Sequence, residues 1–175
     1  MGANMTLSYA SVHGNTPIFV GIGQHMEWGR SPAESLSPMG IAAAAGAAAL
    51  RDTGAAERVS ETLDALVSIR IFPDSWNRPR SPNPFGRAEN PPYAIASRLG
   101  LNPKLGVYGN VGGNTPQKYI NEMASRIAGG ELQLAMVVGG EALKTAQLAH
   151  RENISLNWQE SDSRPFEDRG IGESL

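Results

Sequence analysis

Four consecutive residues between a predicted strand and a predicted helix are the best candidates for chemistry in this sequence: Gly112, Gly113, Asn114 and Thr115. Paired glycines at the start of a helix let a ligand approach the backbone closely. The free N–H groups of the first helical turn, together with the helix dipole, attract an oxyanion or a carbonyl oxygen. A tight turn that needs positive φ would use the same glycines. We predict substrate binding at residues 112–115, and the tight turn remains the alternative.

Two other glycine motifs follow apolar runs. Gly21-Ile22-Gly23 has the spacing of a dinucleotide-binding turn, but no third glycine follows and the next predicted helix begins about fifteen residues later. A phosphate would therefore find no helix N-terminus beside this turn. The second motif, Gly139-Gly140-Glu141, ends the most apolar predicted strand. We interpret Glu141 as a structural acceptor at a sheet edge rather than as a catalytic carboxylate.

The composition excludes several classes of site. The 175 residues contain no cysteine, which excludes disulfides, thiolate metal sites and a cysteine nucleophile. Three histidines without metal-binding spacing predict no metal site. A net charge of -2, from 15 basic and 17 acidic residues, argues against binding to nucleic acid or to an anionic membrane. No apolar run reaches the ~20 residues of a membrane helix, and the first fifteen residues lack the features of a signal peptide. We therefore predict a cytoplasmic location.

The elements that must position the candidate residues alternate between strands and helices. This alternation predicts an α/β fold with a mostly parallel mixed sheet and helices packed on it. Functional groups in such sheets gather where strands end and helices begin. We predict strands at residues 16–23, 65–72, 105–108 and 132–138, and helices at 37–50, 91–99, 115–128 and 143–151.

The chain divides into three predicted parts. Residues 1–15 are expected to be a flexible leader, residues 16–144 the N-terminal α/β core, and residues 145–175 the start of an incomplete loop or cap region. Because the last part has no convincing periodicity, we expect a longer polypeptide. Apolar sheet edges left uncovered would then make this chain depend on a partner or on self-association.

The order of these motifs resembles the thiolase family over residues 16–144. Thiolases carry a helix of the type NPxxxAxxxGL, a strand, a reactive cysteine at the start of a buried helix, and a strand that finishes in GGxES. The counterparts here are Asn90-Pro91-Pro92 with Ala96 and Gly100-Leu101, the strand 107–110, Gly113 to Pro116, the helix 117–128 and Gly139-Gly140-Glu141. Residues 16–25 also look like the first strand of that fold, and residues 37–50 like its first long helix.

One departure from the family affects the chemistry. Counting back from Gly139, the reactive cysteine falls on Gly113, with Gly112 or Asn114 as the neighbouring registers. None of these residues can form the acyl-thioester intermediate of thiolases, so the catalytic residues stay unknown. The histidine and second cysteine of the family belong to a C-terminal half that this chain lacks.

The resemblance implies a thiolase-like acetyl-CoA acetyltransferase homologue of lipid metabolism, close to the sterol-carrier-protein branch and without the nucleophile. Its function would be binding of an acyl-CoA thioester and carbon–carbon bond chemistry, with no cofactor beyond the coenzyme A thioester as substrate. The alternatives are a non-catalytic CoA-thioester binding or scaffold protein, and a retro-aldol lyase acting with a small OB-fold partner. The family also implies a homodimer or higher oligomer, in which residues 83–89 contact a second subunit or cover the acyl pocket.

Overall fold

The computed structural model describes residues 13–75 and 83–171. Most of the predicted leader, residues 1–12, lies outside the described residues. Four strands and five helices alternate along the described chain in this order: α1 (Pro38–Asp52), α2 (Ala56–Thr62), β1 (Ala65–Ser68), α3 (Pro91–Leu99), β2 (Leu105–Tyr108), α4 (Thr115–Ala128), β3 (Ala135–Val138), α5 (Leu143–Glu152) and β4 (Glu167–Asp168).

The four strands form one parallel sheet in the order β3-β1-β2-β4. Ala65 of β1 pairs with Leu105 of β2 on one side and with Ala135 of β3 on the other. The three longer strands are thus in register and end at one common edge. The predicted α/β class with a parallel sheet is confirmed. Strand β4, which comes from the segment after residue 145, was not predicted.

Helices cover both faces of the sheet. Helices α1 and α3 pack with Leu66 on one face, and α4 packs with Val67 and Val107 on the other. Helix α1 packs closely on α3 at Gly46, because a Cβ atom there would lie 3.0 Å from Leu99 Cδ1. A parallel sheet buried on both faces needs strands that are apolar on both faces, and β1 is fully buried along its length.

Local signals place the main helices correctly. Ser37 caps α1, since its hydroxyl accepts a hydrogen bond from the Gly40 N–H at 3.1 Å, and Pro38 occupies the first helical position. Gly100 ends α3 with a φ of 68°, in the left-handed conformation that favours glycine. None of the helices in residues 13–75 and 83–171 has the length and apolarity needed to cross a membrane.

The predicted buried strand at residues 16–23 is wrong. This segment has no regular secondary structure and pairs with no strand of the described chain, and Ile18 and Ile22 are each 76% exposed. It lies instead on the C-terminal half of α1, where the Ile22 N–H donates to Asp52 Oδ2 at 2.9 Å. Composition alone misled the prediction, because strand pairing depends on a distant strand edge that an apolar run does not specify.

Residues 83–89 pack against later residues of the same chain. The Phe85 and Trp158 rings pack at a tilt, with an angle of 59° between their planes and 5.5 Å between their centres. The backbones also pair: the Trp158 N–H donates to the Phe85 carbonyl at 2.6 Å, and the Glu89 N–H donates to the Glu160 carbonyl at 2.9 Å. Residues 83–89 are therefore held within the chain, and contact with a second subunit stays a prediction.

Asp64 joins the amino ends of three strands. Its carboxylate accepts the Gln133 N–H at 2.7 Å and the Lys104 ammonium at 2.9 Å, and its carbonyl accepts the Leu105 N–H at 2.9 Å. The hydrogen bond from Gln133, aided by Lys104, lowers the pKa of Asp64 below its ordinary value of 3.8. Because folding lowers this pKa, the ionised carboxylate stabilises the fold fully above the unfolded-state pKa of about 3.8. The stabilisation is lost as the pH falls through the lower, folded-state pKa.

We expect Asp64→Ala to lower the free energy of unfolding at pH 7 by about 1–3 kcal/mol, since the Gln133 N–H loses its charged acceptor. Urea unfolding should show a smaller difference in the free energy of unfolding between the variant and the native protein at pH 3 than at pH 7. Lys104→Met is the control, because the Lys104 side chain is 84% exposed and its ion pair contributes about 0–1 kcal/mol. Equal losses of unfolding free energy in Asp64→Ala and Lys104→Met would contradict the stabilising role of the Asp64 carboxylate.

Candidate functional site

The candidate residues lie at the carboxyl edge of the sheet. Strands β1, β2 and β3 all end there, followed by residues 69–75, 109–114 and 139–142. The N-terminus of α1 is at the same edge, because a Cβ atom on Gly140 would lie 2.7 Å from the Pro38 carbonyl oxygen. Three strand ends and two helix starts thus meet, as is typical of ligand sites in open α/β sheets.

The glycine loop, residues 112–115, leads directly into α4. The Thr115 N–H donates to the Gly112 carbonyl at 3.1 Å, and the Lys118 N–H donates to the Asn114 carbonyl at 3.0 Å. The N–H groups of Gly113, Asn114 and Gln117 find no acceptor within the described ranges. Residues 112–114 are exposed, whereas Thr115 is buried and its hydroxyl contacts the Asn110 carbonyl at 3.3 Å. Three donors at the positive end of a 14-residue helix are therefore open to a ligand.

The two glycines of the loop differ in conformation. Gly112 has a φ of 154°, and a Cβ atom there would lie 3.0 Å from both Asn114 Oδ1 and Thr115 Oγ1. Gly113 has no such φ, and no heavy atom lies within 4 Å of an added Cβ atom. The tight-turn interpretation thus explains Gly112 but gives no reason for glycine at position 113, where the absent side chain leaves the backbone accessible.

Hydrogen bonds between Asn110 and the first residues of α4 hold the two ends of the glycine loop together. The Lys118 ammonium donates to Asn110 Oδ1 at 2.9 Å, and the Tyr119 hydroxyl donates to the same oxygen at 3.0 Å. The Asn110 N–H in turn donates to the Tyr119 hydroxyl at 3.0 Å. These contacts fix the end of β2 against the first turn of α4, where Lys118 directly follows Gln117.

Glu141 has the structural role that its position after β3 indicated. Its Oε1 atom accepts the Phe72 N–H at 2.5 Å, which joins the ends of β3 and β1. Partial burial raises the pKa of this carboxyl group, and the hydrogen bond from Phe72 opposes that effect. The nearby glycine of the motif is required by packing, because a Cβ atom on Gly139 would lie 2.9 Å from Ile69 Cβ.

A buried charged network at this edge was not predicted. We call it the Asp74 network: Asp74, Tyr108, Arg70, Arg87 and Asp168. The Tyr108 hydroxyl donates to Asp74 Oδ2 at 2.8 Å, and Arg87 donates to Asp74 Oδ1 at 3.0 Å. Arg70 donates to the Gly109 carbonyl at 2.8 Å, pairs with Asp168, and lies 4.1 Å from the Tyr108 ring centre.

Burial of its central groups indicates that the Asp74 network stabilises this edge of the sheet and is not a reactive site. Tyr108 is 1% exposed and Asp74 is 7% exposed, and burial raises the pKa of the Tyr108 hydroxyl. The Tyr108 hydroxyl and the Asp74 carboxylate are therefore closed to a substrate. The only signal for the network in the sequence is Arg70 itself, a charge between the apolar residues Ile69 and Ile71.

The residues described by the structure contain no group of three or more His, Asp or Glu side chains placed to hold a metal ion. No family model and no curated protein matches the sequence. Among solved structures, the chain is similar to the crystal structure of a monomeric SCP2-thiolase-like protein type 1 from Mycobacterium smegmatis, with a TM-score of 0.57 and 28% sequence identity. The match covers 72% of this chain and 23% of that chain.

The fold is thiolase-like. This likeness confirms the fold that the order of the motifs predicted. The chain spans less than a quarter of the length of the mycobacterial protein. The glycine loop at the start of α4 contains Gly113, the residue that the order of the motifs aligns with the family's reactive cysteine. The absence of the nucleophile from that position stays a prediction of the sequence comparison.

Proposed function

We propose that the chain binds an acyl-CoA thioester at the glycine loop and serves carbon–carbon bond chemistry as a thiolase-like acetyl-CoA acetyltransferase homologue without the cysteine nucleophile. The observation that carries the proposal is the set of three free N–H groups, on Gly113, Asn114 and Gln117, at the carboxyl edge of a thiolase-like sheet. A thioester carbonyl oxygen, or the enolate oxygen formed from it, is the acceptor that such donors stabilise best.

Each part of the loop has a defined role in this proposal. Gly113 lets the thioester carbon approach the backbone, because no side chain occupies the space around its Cα atom. The N–H groups of residues 113 and 114, with the dipole of α4, stabilise negative charge on the thioester oxygen. Lys118 lies on the first turn, where its ammonium donates to Asn110 Oδ1 and adds a positive charge to this end of the helix.

A non-catalytic thioester-binding protein is the second candidate. It is favoured by the chemistry of residues 112–114, which offer no thiol, imidazole or carboxylate. Incubation of the protein with acetoacetyl-CoA, with and without small proteins that co-purify with it, separates the alternatives. Product formation by the protein alone supports the acetyltransferase homologue, and binding without turnover supports the second candidate. Turnover that requires a small partner would favour the retro-aldol lyase.

Asn114→Asp tests the proposed binding site directly. The change preserves the shape of the residue before α4 and adds a negative charge at the positive end of the helix. We expect the free energy of unfolding to rise by about 0.3–1 kcal/mol. Binding of acetyl-CoA should weaken roughly three- to tenfold, because the carboxylate occupies and repels the site of the thioester oxygen. Thermal unfolding and isothermal titration calorimetry measure the two effects.

Asn121→Asp is the matched control, because Asn121 is exposed on the second turn of the same helix and keeps its acceptor role toward Gln117. This variant should bind acetyl-CoA as the native protein does. An unchanged affinity in both variants would contradict binding at the glycine loop. A weaker affinity in both would point instead to a general effect of negative charge on this helix.

The proposed homodimer and cytoplasmic location stay predictions. The mycobacterial protein is described as monomeric, so the oligomeric state of this chain is a property to be measured by light scattering.

A further inference from the structure

An apolar cavity of about 400 Å³ lies beside the outer edge of β3. We call it the edge cavity. Strand β3, helices α1 and α4, and residues 17–23 all contribute to its lining. Small side chains leave this space open, because the lining residues of the two helices include Ala45, Ala49 and Ala124. An apolar cavity of about 150 Å³ holds a benzene ring, so the edge cavity has room for about two large apolar side chains.

Large apolar side chains are exposed directly beside this cavity. Ile18, Phe19 and Ile22 are each 76% exposed, and all three residues border the cavity. The exposure continues along the chain at Met26 and Trp28, which are 63% and 75% exposed. One surface of the molecule thus presents exposed apolar side chains next to an apolar recess.

The apolar segment, as we call residues 18–28, has the composition of a protein interface. It contains no lysine, arginine or aspartate. The carboxylate of its one glutamate, Glu27, accepts the Leu36 N–H at 2.9 Å. Interfaces are depleted in charge at their centre and enriched in aromatic residues and methionine, and this segment carries a phenylalanine, a tryptophan and a methionine. Elsewhere in residues 13–75 and 83–171, the large apolar side chains that are exposed are Phe72 and Leu143.

The exposed area of the apolar segment is close to the area that a stable dimer buries. Its large apolar side chains are between 47% and 76% exposed: Ile18, Phe19, Val20, Ile22, Met26 and Trp28. Together they offer roughly 500–800 Å² of apolar surface. A stable interface buries about 600–1,000 Å² on each partner, whereas the largest apolar patch on a typical monomer covers about 300–600 Å². The lining of the edge cavity adds to the area on each copy.

The edge of β3 that borders the cavity needs a protein partner. Strand β3 is the end strand of the described sheet and pairs only with β1. The carbonyls of Leu134 and Val138 accept N–H groups from the β1 side, at 3.3 Å and 2.8 Å. Because backbone direction alternates along a strand, the N–H and C=O groups of Ala135 and Val137 face away from β1. Another backbone satisfies such groups, and a small aliphatic or aromatic molecule does not.

A second copy of this chain meets these requirements together. In an isologous dimer both copies use the same surface, so that surface must be complementary to itself. Exposed side chains beside a recess have this property, since each copy fills the recess of the other. Charge repulsion does not oppose the contact, because the apolar segment is almost free of charged residues.

We propose that two copies of this chain associate about a two-fold axis, with Ile18, Phe19 and Ile22 of each copy seated in the edge cavity of the other. The backbone of the inserted residues supplies partners for the outer edge of β3. Because the contact is closed by symmetry, it also blocks the addition of further strands to β3. This interface is distinct from the contact predicted for residues 83–89 and is independent of acyl-CoA binding.

Sedimentation velocity of the full chain over a wide range of concentrations tests the association. The native protein should show a reversible equilibrium between monomer and dimer. Phe19→Asp should weaken dimerisation by about thirtyfold or more, because a carboxylate loses its hydration in an apolar cavity. Leu143→Asp is the matched control, since Leu143 is exposed but lies outside the apolar segment. A native protein that stays monomeric, or equal dimerisation of the two variants, would overturn the proposal.

Ala124→Trp tests the same contact from the side of the cavity. The larger side chain fills the cavity of its own chain, so dimerisation should weaken by about tenfold or more while circular dichroism shows the fold retained. If Phe19→Asp does not fold, this variant decides the question. Unchanged dimerisation of Ala124→Trp would overturn the insertion of side chains into the edge cavity.

Cysteines engineered in separate chains test the two-fold contact, since the sequence has no cysteine of its own. Phe19→Cys protein mixed with Ala124→Cys protein should form a disulfide between chains under mild oxidation, because the contact brings residue 19 of one copy into the cavity of the other. Phe19→Cys mixed with Leu143→Cys is the control. Peptide mass spectrometry should find the mixed disulfide about fivefold or more enriched in the first mixture. Equal amounts in the two mixtures would overturn the proposed dimer.

Discussion

Asp74→Ala is expected to lower the free energy of unfolding by about 3–5 kcal/mol, because it removes the buried carboxylate that pairs with Arg87 and accepts the Tyr108 hydroxyl. A domain of this size is stable by about 5–15 kcal/mol in total, so the variant should be close to unfolding at 37 °C. Asp74→Asn should lose less, since the amide oxygen still accepts one of the two hydrogen bonds. Urea unfolding monitored by circular dichroism measures both.

Glu131→Ala is the matched control for this prediction. Glu131 also pairs with an arginine, Arg126, but its side chain is 61% exposed. Exposed pairs of this kind contribute about 0–1 kcal/mol. If Asp74→Ala lowers the free energy of unfolding no more than Glu131→Ala does, the Asp74 network does not stabilise the carboxyl edge of the sheet.

Gly113→Cys should create an unusually reactive thiol. The new side chain has open space and an ordinary φ, so the variant should fold like the native protein by circular dichroism. The helix N-terminus lowers a thiol pKa below its free value of about 8.5, and we expect alkylation by iodoacetamide at pH 7 to be roughly five- to tenfold faster than for free cysteine. The chain has no other cysteine, so the label reports this position alone.

Three further cysteine variants show whether a fast alkylation rate is specific to position 113. Asn121→Cys, on the second turn of α4, should react like a free thiol. If Gly112→Cys or Asn114→Cys is fast while Gly113→Cys is not, the position aligned with the family's nucleophile is one residue away from Gly113. Gly112→Cys requires its own folding control, because position 112 has positive φ and close neighbours. If all three loop variants react like free cysteine, the glycine loop is only a turn.

Local sequence signals account for most of the elements that were predicted correctly. The Ser37-Pro38 start of α1 and the Gly100 end of α3 depend on capping within a few residues. Strands β1 and β2 follow from short buried apolar runs. The two-residue strand β4 is polar and exposed, so neither periodicity nor composition could indicate it.

The parts of the site that the sequence missed depend on contacts between distant residues. The glycine loop was predictable because its turn and its helix start are adjacent in sequence. Arg70 and Asp168, by contrast, are 98 positions apart, and Asp74 and Tyr108 are 34 apart. No local pattern pairs such residues. The failure at residues 16–23 has the same origin, since an apolar run specifies extended backbone but not the strand edge that receives it.

Protection of the Gly113→Cys thiol by acetyl-CoA is the most direct test of thioester binding at the glycine loop. The alkylation rate is measured across a range of acetyl-CoA concentrations, with Asn121→Cys in parallel and with bound acetyl-CoA determined by equilibrium dialysis. A thioester seated on the free N–H groups of the loop covers position 113, so alkylation should slow in proportion to occupancy while Asn121→Cys is unaffected. Unchanged alkylation of Gly113→Cys when dialysis shows saturation, or no acetyl-CoA bound to the native protein, would contradict thioester binding at the glycine loop.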